Sequence, residues 1–134
     1  MKIAKKIFTL VCDDIRLEID GKISLMGIQD RDLVVDEIPY ILPSLAIMIS
    51  LEEMQTETSE INVIVKAPKV EAEQLKFVAP PDKAKDDNDV KLLVKLTPFR
   101  IKAEGEVKIQ IKLPDAKKAI TIHSFKIVQS DPLD

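Results

Sequence analysis

One cysteine and one histidine occur in the 134-residue chain, so Cys12 and His123 form its single possible thiol–imidazole pair. Such a pair can catalyse hydrolysis when the thiol is exposed and activated by the imidazole. Cys12 follows Val11 in an apolar stretch, where a small buried side chain is expected. His123 lies within a predicted strand, between Ile122 and Ser124. The sequence favours structural roles for both residues and keeps a hydrolase as a second alternative.

Aspartates cluster in two segments that the sequence pattern predicts to be loops. Calcium takes six to eight oxygen ligands, often carboxylates from adjacent loops. A calcium-dependent binding domain is therefore an alternative function, provided that the fold brings both clusters to one end. The clusters lack the spacing of an EF-hand, and clustered acids also form ordinary solvated turns. The candidate metal ligands are Asp30, Asp32, Asp86, Asp87 and Asp89.

Apolar side chains next to prolines suggest a surface for a protein partner. The segment 36–43 contains two prolines, so it predicts a crossing between sheets and not a central strand. Its apolar residues form either an exposed anchor or a plug that closes one end of the domain. A second candidate surface is the polar loop 79–89, where no apolar side chain is larger than alanine. The candidate binding residues are Ile38, Tyr40, Ile41, Pro80, Pro81 and Asp82.

Composition argues against several classes of partner. The net charge of −3 and the isoelectric point near 5.3 disfavour nucleic-acid binding, which needs a basic surface. A lysine-rich sheet face that binds an anionic surface is an alternative, although Glu104 and Glu106 interrupt it and a solvated face explains it as well. The residues of this face are Lys91, Lys95, Arg100, Lys102, Lys108, Lys112 and Lys126.

No cofactor or membrane span is expected. The three glycines stand too far apart for a phosphate-binding loop. The longest uncharged run, residues 38–51, contains prolines and is shorter than the roughly 20 residues of a spanning helix. The single cysteine suits a reducing compartment, so we expect a cytoplasmic protein.

The elements that must position these residues are β-strands. Isoleucine and valine number 18 and 11, and apolar residues recur at every second position almost throughout. The pattern predicts one all-β domain over residues 1–134, with an ordered core at about 6–128 and a tail at 129–134. The expected architecture is a single antiparallel β-sandwich of about seven or eight strands, with immunoglobulin-like or similar Greek-key topology. A barrel is the main alternative.

Several segments carry more specific predictions. Asp20-Gly21 predicts a type I′ turn in a long hairpin over residues 6–35, with a bend at Gly27 or within residues 29–32. The nearly continuous apolar run at residues 44–52 predicts an interior strand. Residues 70–78 suit a strand better than a short helix. Residues 99–113 form either one long strand bent at Gly105 or two strands.

The order of several short motifs resembles a known family. The motifs are Cys12-Asp13-Asp14, the stretch 21–28 after the turn, Leu45-Ala46-Ile47 after the prolines, and residues 99–109 around Gly105. Together they resemble, over about residues 6–128, a bacterial family of small cytoplasmic β-sandwich proteins with no assigned function. Val107 departs from the pattern, since many such proteins carry an aromatic residue after the late glycine. The resemblance implies the fold and a bacterial origin and carries no activity.

The sequence therefore favours a non-enzymatic binding or scaffolding module. We expect it to contact a protein partner, or a second copy of itself, through an exposed strand edge or a cluster of end loops.

Overall fold

The computed structural model describes residues 3–54, 60–78 and 89–131. Every regular element within these ranges is a β-strand, which confirms the all-β prediction. The same ranges hold no helix that is long and apolar enough to cross a lipid bilayer. The strands are β1 (Ala4–Cys12), β2 (Asp14–Leu17), β3 (Ile23–Met26), β4 (Leu33–Val35), β5 (Tyr40–Leu42), β6 (Leu45–Met54), β7 (Glu60–Lys66), β8 (Glu73–Val78), β9 (Val90–Leu96), β10 (Phe99–Ile101), β11 (Gly105–Lys112) and β12 (Ile120–Gln129).

The described strands form four sheets, which corrects the prediction of one sandwich with seven or eight strands. One sheet has the order β1-β6-β9, and the largest has the order β4-β12-β11-β7-β8. The pairs β2–β3 and β5–β10 form two small sheets, and the arrangement includes a half-barrel sheet. The large sheet is mixed, because β12 pairs with β4 in parallel. Strands β4, β5 and β10 have three residues each, too few for alternation to distinguish them from loops.

The main core joins residues from the three-stranded and five-stranded sheets. Ile47 and Ile49 of β6 and Ile109 and Ile111 of β11 are fully buried in it. Since successive residues of a strand point to opposite faces, the intervening residues of β6 belong to the other face of its sheet. That face carries a second buried cluster, composed of Cys12, Ile15, Ala46 and Met48. The β2–β3 hairpin covers this face, which confirms that β6 is an interior strand.

The turn of the β2–β3 hairpin differs from the predicted type I′ turn. That turn needs positive φ at both Asp20 and Gly21, but only Gly21 has it, with φ of 86°. The Gly21 N–H donates to the Glu18 carbonyl at 3.0 Å, and the Glu18 N–H donates to the Lys22 carbonyl at 2.8 Å. The loop therefore has three residues, a type I turn followed by a left-handed glycine. The Asp20 carboxylate accepts the Lys22 N–H at 3.1 Å and stabilises it.

A second glycine places this hairpin over the three-stranded sheet. Gly27 has φ of 68°, and the Asp13 side chain fills the space that a Cβ would occupy. The Asp13 N–H donates to the Met26 carbonyl at 2.9 Å, and the Gln29 N–H returns to the Val11 carbonyl at 2.7 Å. The chain bends at Gly27 as predicted, but the hairpin consists of β2 and β3 alone and does not extend over residues 6–35, because β1 pairs with β6 instead.

Two ambiguous segments are resolved. Residues 73–78 form β8, an edge strand, as the sequence favoured. Residues 99–113 form two strands, β10 and β11, because the chain bends at Ala103 and Glu104, immediately before Gly105, whose φ is 142°. A Cβ at Gly105 would lie 2.8 Å from Cγ of Pro68, so this position needs glycine for space as well. The predicted loop at residues 79–89 lies outside the described residues, except for Asp89.

Candidate functional site

The proline-flanked surface is built on β5, which pairs antiparallel with β10. Ile41 lies opposite Arg100, and the two side chains therefore share one face of this small sheet. Ile41 is 55% exposed and Arg100 is also exposed, so this face is open to solvent. An aliphatic side chain beside a guanidinium can contact a partner that offers both an apolar group and a carboxylate.

Alternation separates the three candidate residues of the crossing segment. Tyr40 lies opposite the buried Ile101, so it points to the opposite face from Ile41. It remains 38% exposed because it stands at the end of the strand. Ile38 is partly buried against the main core, where it acts as the plug that the sequence offered as an alternative. The exposed anchor therefore consists of Ile41, with Tyr40 at its border. Pro80, Pro81 and Asp82 lie outside the described residues.

The β5–β10 sheet has two free edges in the part of the chain that the structure describes, because each strand pairs with the other alone. A free edge presents backbone N–H and C=O groups that a further strand can pair with. The prolines at positions 39 and 43 border β5 on both sides and limit its length.

Two of the three candidate metal ligands within the described residues, Asp32 and Asp89, already accept backbone hydrogen bonds. Asp32 accepts the Lys126 N–H at 3.0 Å, which joins the start of β4 to β12. Asp89 accepts the Glu53 N–H at 2.9 Å, at the far end of β6. Each carboxylate therefore has a structural role. Asp86 and Asp87 lie outside the described residues.

Asp30 and Asp89, the described members of the two acidic clusters that lie farthest apart along β6, are not brought together. Gln29, next to Asp30, is bonded to Val11, and Val11 pairs with Ile47 near the start of β6. Asp89 is bonded to Glu53 at the other end of the same strand. The stretch of β6 from position 47 to 53 separates these points by about 20 Å. Residues 30 and 89 therefore cannot share one cation, and no group of three or more His, Cys, Asp or Glu residues within residues 3–54, 60–78 and 89–131 is placed to hold a metal.

Cys12 and His123 lie in different layers of the molecule. Cys12 is buried between the three-stranded sheet and the β2–β3 hairpin, and its thiol donates to the Asp14 carbonyl at 3.4 Å. Burial, followed by the charge of Asp13, raises the pKa of the Cys12 thiol. His123 lies on β12 of the five-stranded sheet, where its ring stacks at a tilt near Phe125 and burial lowers its pKa. The structure does not bring them together as a dyad.

The basic residues do not form the single face that the sequence offered as an alternative. Lys91 and Lys95 lie on β9 of the three-stranded sheet, whereas Lys108 and Lys126 lie on strands of the five-stranded sheet. Arg100 belongs to the β5–β10 sheet. Distribution over three sheets gives no continuous basic surface.

Two open grooves beside the β2–β3 hairpin were not predicted from the sequence. One, of about 510 Å³, is lined by Ile15, Arg16, Leu17, Leu93 and Lys95. Here Lys95 Nζ lies 3.0 Å from Oδ1 of Asp14, and this hydrogen bond lowers the pKa of the Asp14 carboxyl. The other groove, of about 440 Å³, is lined by Gly21, Lys22, Ile23, Leu25, Met48 and Lys91.

The sequence pattern of the hairpin beside these grooves leads to a wrong prediction of burial. Ile15, Leu17 and Ile19 alternate as one apolar face, which predicts burial of all three. In the structure Ile15 is buried, Leu17 is 71% exposed and Ile19 is fully exposed. The hairpin therefore projects beyond the surface that covers its base.

The fold and the geometry above define an all-β protein whose exposed features are strand edges and grooves. A model of a family of unknown function, DUF6941, matches residues 7–123. The chain belongs to this family, which confirms the resemblance seen in its motifs. The match runs from β1 into β12 and includes the β5–β10 sheet. A search of characterised proteins found no match.

Proposed function

We propose that this protein is a non-enzymatic binding module of the bacterial cytoplasm that contacts a protein partner through the β5–β10 sheet. The observation that carries the proposal is Ile41, an exposed aliphatic side chain on a three-residue strand with an edge that no other described strand pairs with. Scattered exposed apolar side chains are common on proteins, but one that coincides with a free strand edge offers both apolar and backbone contacts.

The mechanism is addition of a strand from the partner. Backbone hydrogen bonds along the free edge provide affinity, and side chains on alternate positions provide specificity. Ile41 contacts an apolar side chain of the partner, and Arg100 beside it favours a carboxylate. The cytoplasmic location is supported by the lone buried thiol, which needs no oxidising compartment.

The test is affinity capture from a lysate with the tagged chain, followed by purification of the captured protein and a direct binding measurement. The test variant is Tyr40→Ser with Ile41→Ser. The control variant is Val78→Ser with Ile120→Ser, which removes exposed apolar side chains from β8 and β12 instead. Circular dichroism and thermal melting establish that both variants are folded.

The proposal predicts that the captured protein binds the wild type and the control, and binds the Tyr40→Ser, Ile41→Ser variant at least tenfold more weakly. Equal binding to the test variant would show that β5 is not the surface. A hydrolytic activity lost in a Cys12→Ser variant would contradict the non-enzymatic assignment.

A further inference from the structure

The tip of the β2–β3 hairpin carries an apolar side chain that the turn itself does not need. Ile19 is fully exposed, and Leu17 beside it is 71% exposed. Tight turns favour Gly, Asp, Asn, Ser and Pro, and a branched aliphatic residue contributes nothing to such a turn. Glu18 and Asp20 flank Ile19 on both sides, so the tip is an apolar knob between two carboxylates.

A groove of matching character lies beside the same hairpin. Ile23, Leu25 and Met48 line the apolar part of the 440 Å³ groove, and Lys22 and Lys91 supply positive charge. Within the described part of the chain, Lys91 forms no ion pair, whereas Lys22 lies 3.4 Å from Asp20. Lys22 offsets Asp20 within the same turn, so the tip is apolar with one net negative charge, and the groove is apolar with Lys91 as its available cation.

We propose that two copies of the chain associate through this face, with Ile19 of each copy seated in the groove of the other. The tip and the groove belong to one hairpin, so a two-fold axis can satisfy both contacts at once, as an isologous interface requires. In this arrangement a carboxylate of each tip, from Glu18 or Asp20, faces Lys91 of the other copy, and the apolar residues on both sides lose contact with water. The interface uses none of the residues assigned to the β5–β10 sheet.

The charges of the tip select this occupant over a lipid surface. An anionic membrane would repel Glu18 and Asp20 at the point where Ile19 would insert, whereas Lys91 of a second groove attracts them. Charge complementarity between the tip and the groove is the observation that identifies a second copy as the partner.

Sedimentation velocity over a wide range of protein concentration tests the proposal. The wild type should show a monomer–dimer equilibrium, and Ile19→Ser should raise its dissociation constant by roughly 100-fold, because two buried isoleucines are lost per dimer. Ile19→Ser leaves the fold intact, because the side chain makes no buried contact. Ile120→Ser, at an exposed position on β12, is the matched control and should leave the equilibrium unchanged.

A second measurement locates the contact directly. Zero-length cross-linking of a mixture of isotopically light and heavy chains should join Lys91 of one copy to Glu18 or Asp20 of the other. Monomer at all concentrations, or a dimer that persists in Ile19→Ser, overturns the proposal. A dimer lost only in the Tyr40→Ser, Ile41→Ser variant also overturns it and assigns self-association to the β5–β10 sheet instead.

Discussion

Burial determines the protonation of the two side chains that first suggested chemistry. Cys12 is held as a thiol and His123 as a neutral imidazole, because each lies where its charged form loses hydration. A nucleophilic thiolate needs the opposite environment, with a nearby positive charge and access to solvent. Both residues therefore affect stability as a function of pH.

His123 should lower the stability of the fold in mild acid. Its pKa is lowered in the folded protein, so the unfolded chain binds a proton first as the pH falls below the ordinary histidine value of about 6.5. The free energy of unfolding should decrease from there down to the folded pKa. Denaturant titrations of wild type and His123→Gln over this range should give a difference that changes with pH, whereas a constant difference would contradict the assignment.

Cys12 should react slowly with alkylating reagents in the native protein. Its thiol is buried and its pKa is raised, so little thiolate is accessible at neutral pH. We expect alkylation to become fast only in denaturant. Mass spectrometry of the protein over time measures the extent of alkylation. Because the folded pKa is raised, stability is retained at neutral pH and falls as alkaline pH deprotonates the unfolded thiol first. Rapid labelling without denaturant would show that the thiol is exposed.

At the scale of the elements, two glycines with positive φ have different reasons to be glycine. Gly21 has open space around the position of a Cβ, so conformation is its only constraint. At Gly27 the Asp13 side chain occupies that space. The first glycine shapes the turn of the hairpin, and the second directs the hairpin across the three-stranded sheet.

Alanine substitutions should separate these two constraints. Gly21→Ala should cost about 1 kcal/mol, the strain of a left-handed alanine. Gly27→Ala should cost more than that, because the Asp13 carboxylate must also move. Adding Asp13→Ala should recover part of the loss in the second case, measured by chemical denaturation. Equal costs at both glycines would mean that the close approach of Asp13 has no energetic effect.

The sequence correctly predicted strands in which apolar residues continue over many positions. The run from Leu45 to Leu51 gave an interior strand because Ala46 and Met48 make its second face apolar. The same pattern at Ile15, Leu17 and Ile19 failed, because alternation specifies a face and does not say how far the covering layer extends. The pairing of β4 with β12 had no local signal either, since it joins residues such as Asp32 and Lys126 that are 94 positions apart.

The candidate binding surface was predicted only in part, because the direction of its side chains depends on strand pairing between distant residues. The prolines correctly excluded a central strand at residues 36–43, but residues 40–42 form the short strand β5 where a crossing between sheets was predicted. Which of Tyr40 and Ile41 points outward depends on pairing with Arg100 and Ile101, and that register is a tertiary property. Asp30 and Asp89 are separated by the length of β6, which no spacing in the sequence expresses.

For the whole molecule, β6 is the strand most protected from solvent. It pairs with β1 on one side and β9 on the other, and residues on both of its faces are buried. Opening it requires the main core and the second cluster to separate together. Among the described strands, β5 pairs with the short β10 alone, and it has an exposed face, so it can open locally.

Hydrogen exchange should therefore rank these strands in order. The amides of residues 45–51 in β6 should exchange most slowly, near the rate set by global unfolding, and those of β5 should exchange much faster. Mass spectrometry or nuclear magnetic resonance under native conditions provides the measurement. Slow exchange across β5 would indicate that its free edge is covered, for instance by a partner strand.

The position of β12 has a consequence for how the chain acquires its fold during synthesis. β12 is the last of the described strands along the chain, yet it lies between β4 and β11 in the five-stranded sheet. Until residues 120–129 leave the ribosome, β4 has no sheet to join and β11 exposes an unpaired edge beside apolar side chains. The nascent chain therefore cannot complete its core until nearly all of these residues have been made, and a chain ending after Leu113 should aggregate instead of folding.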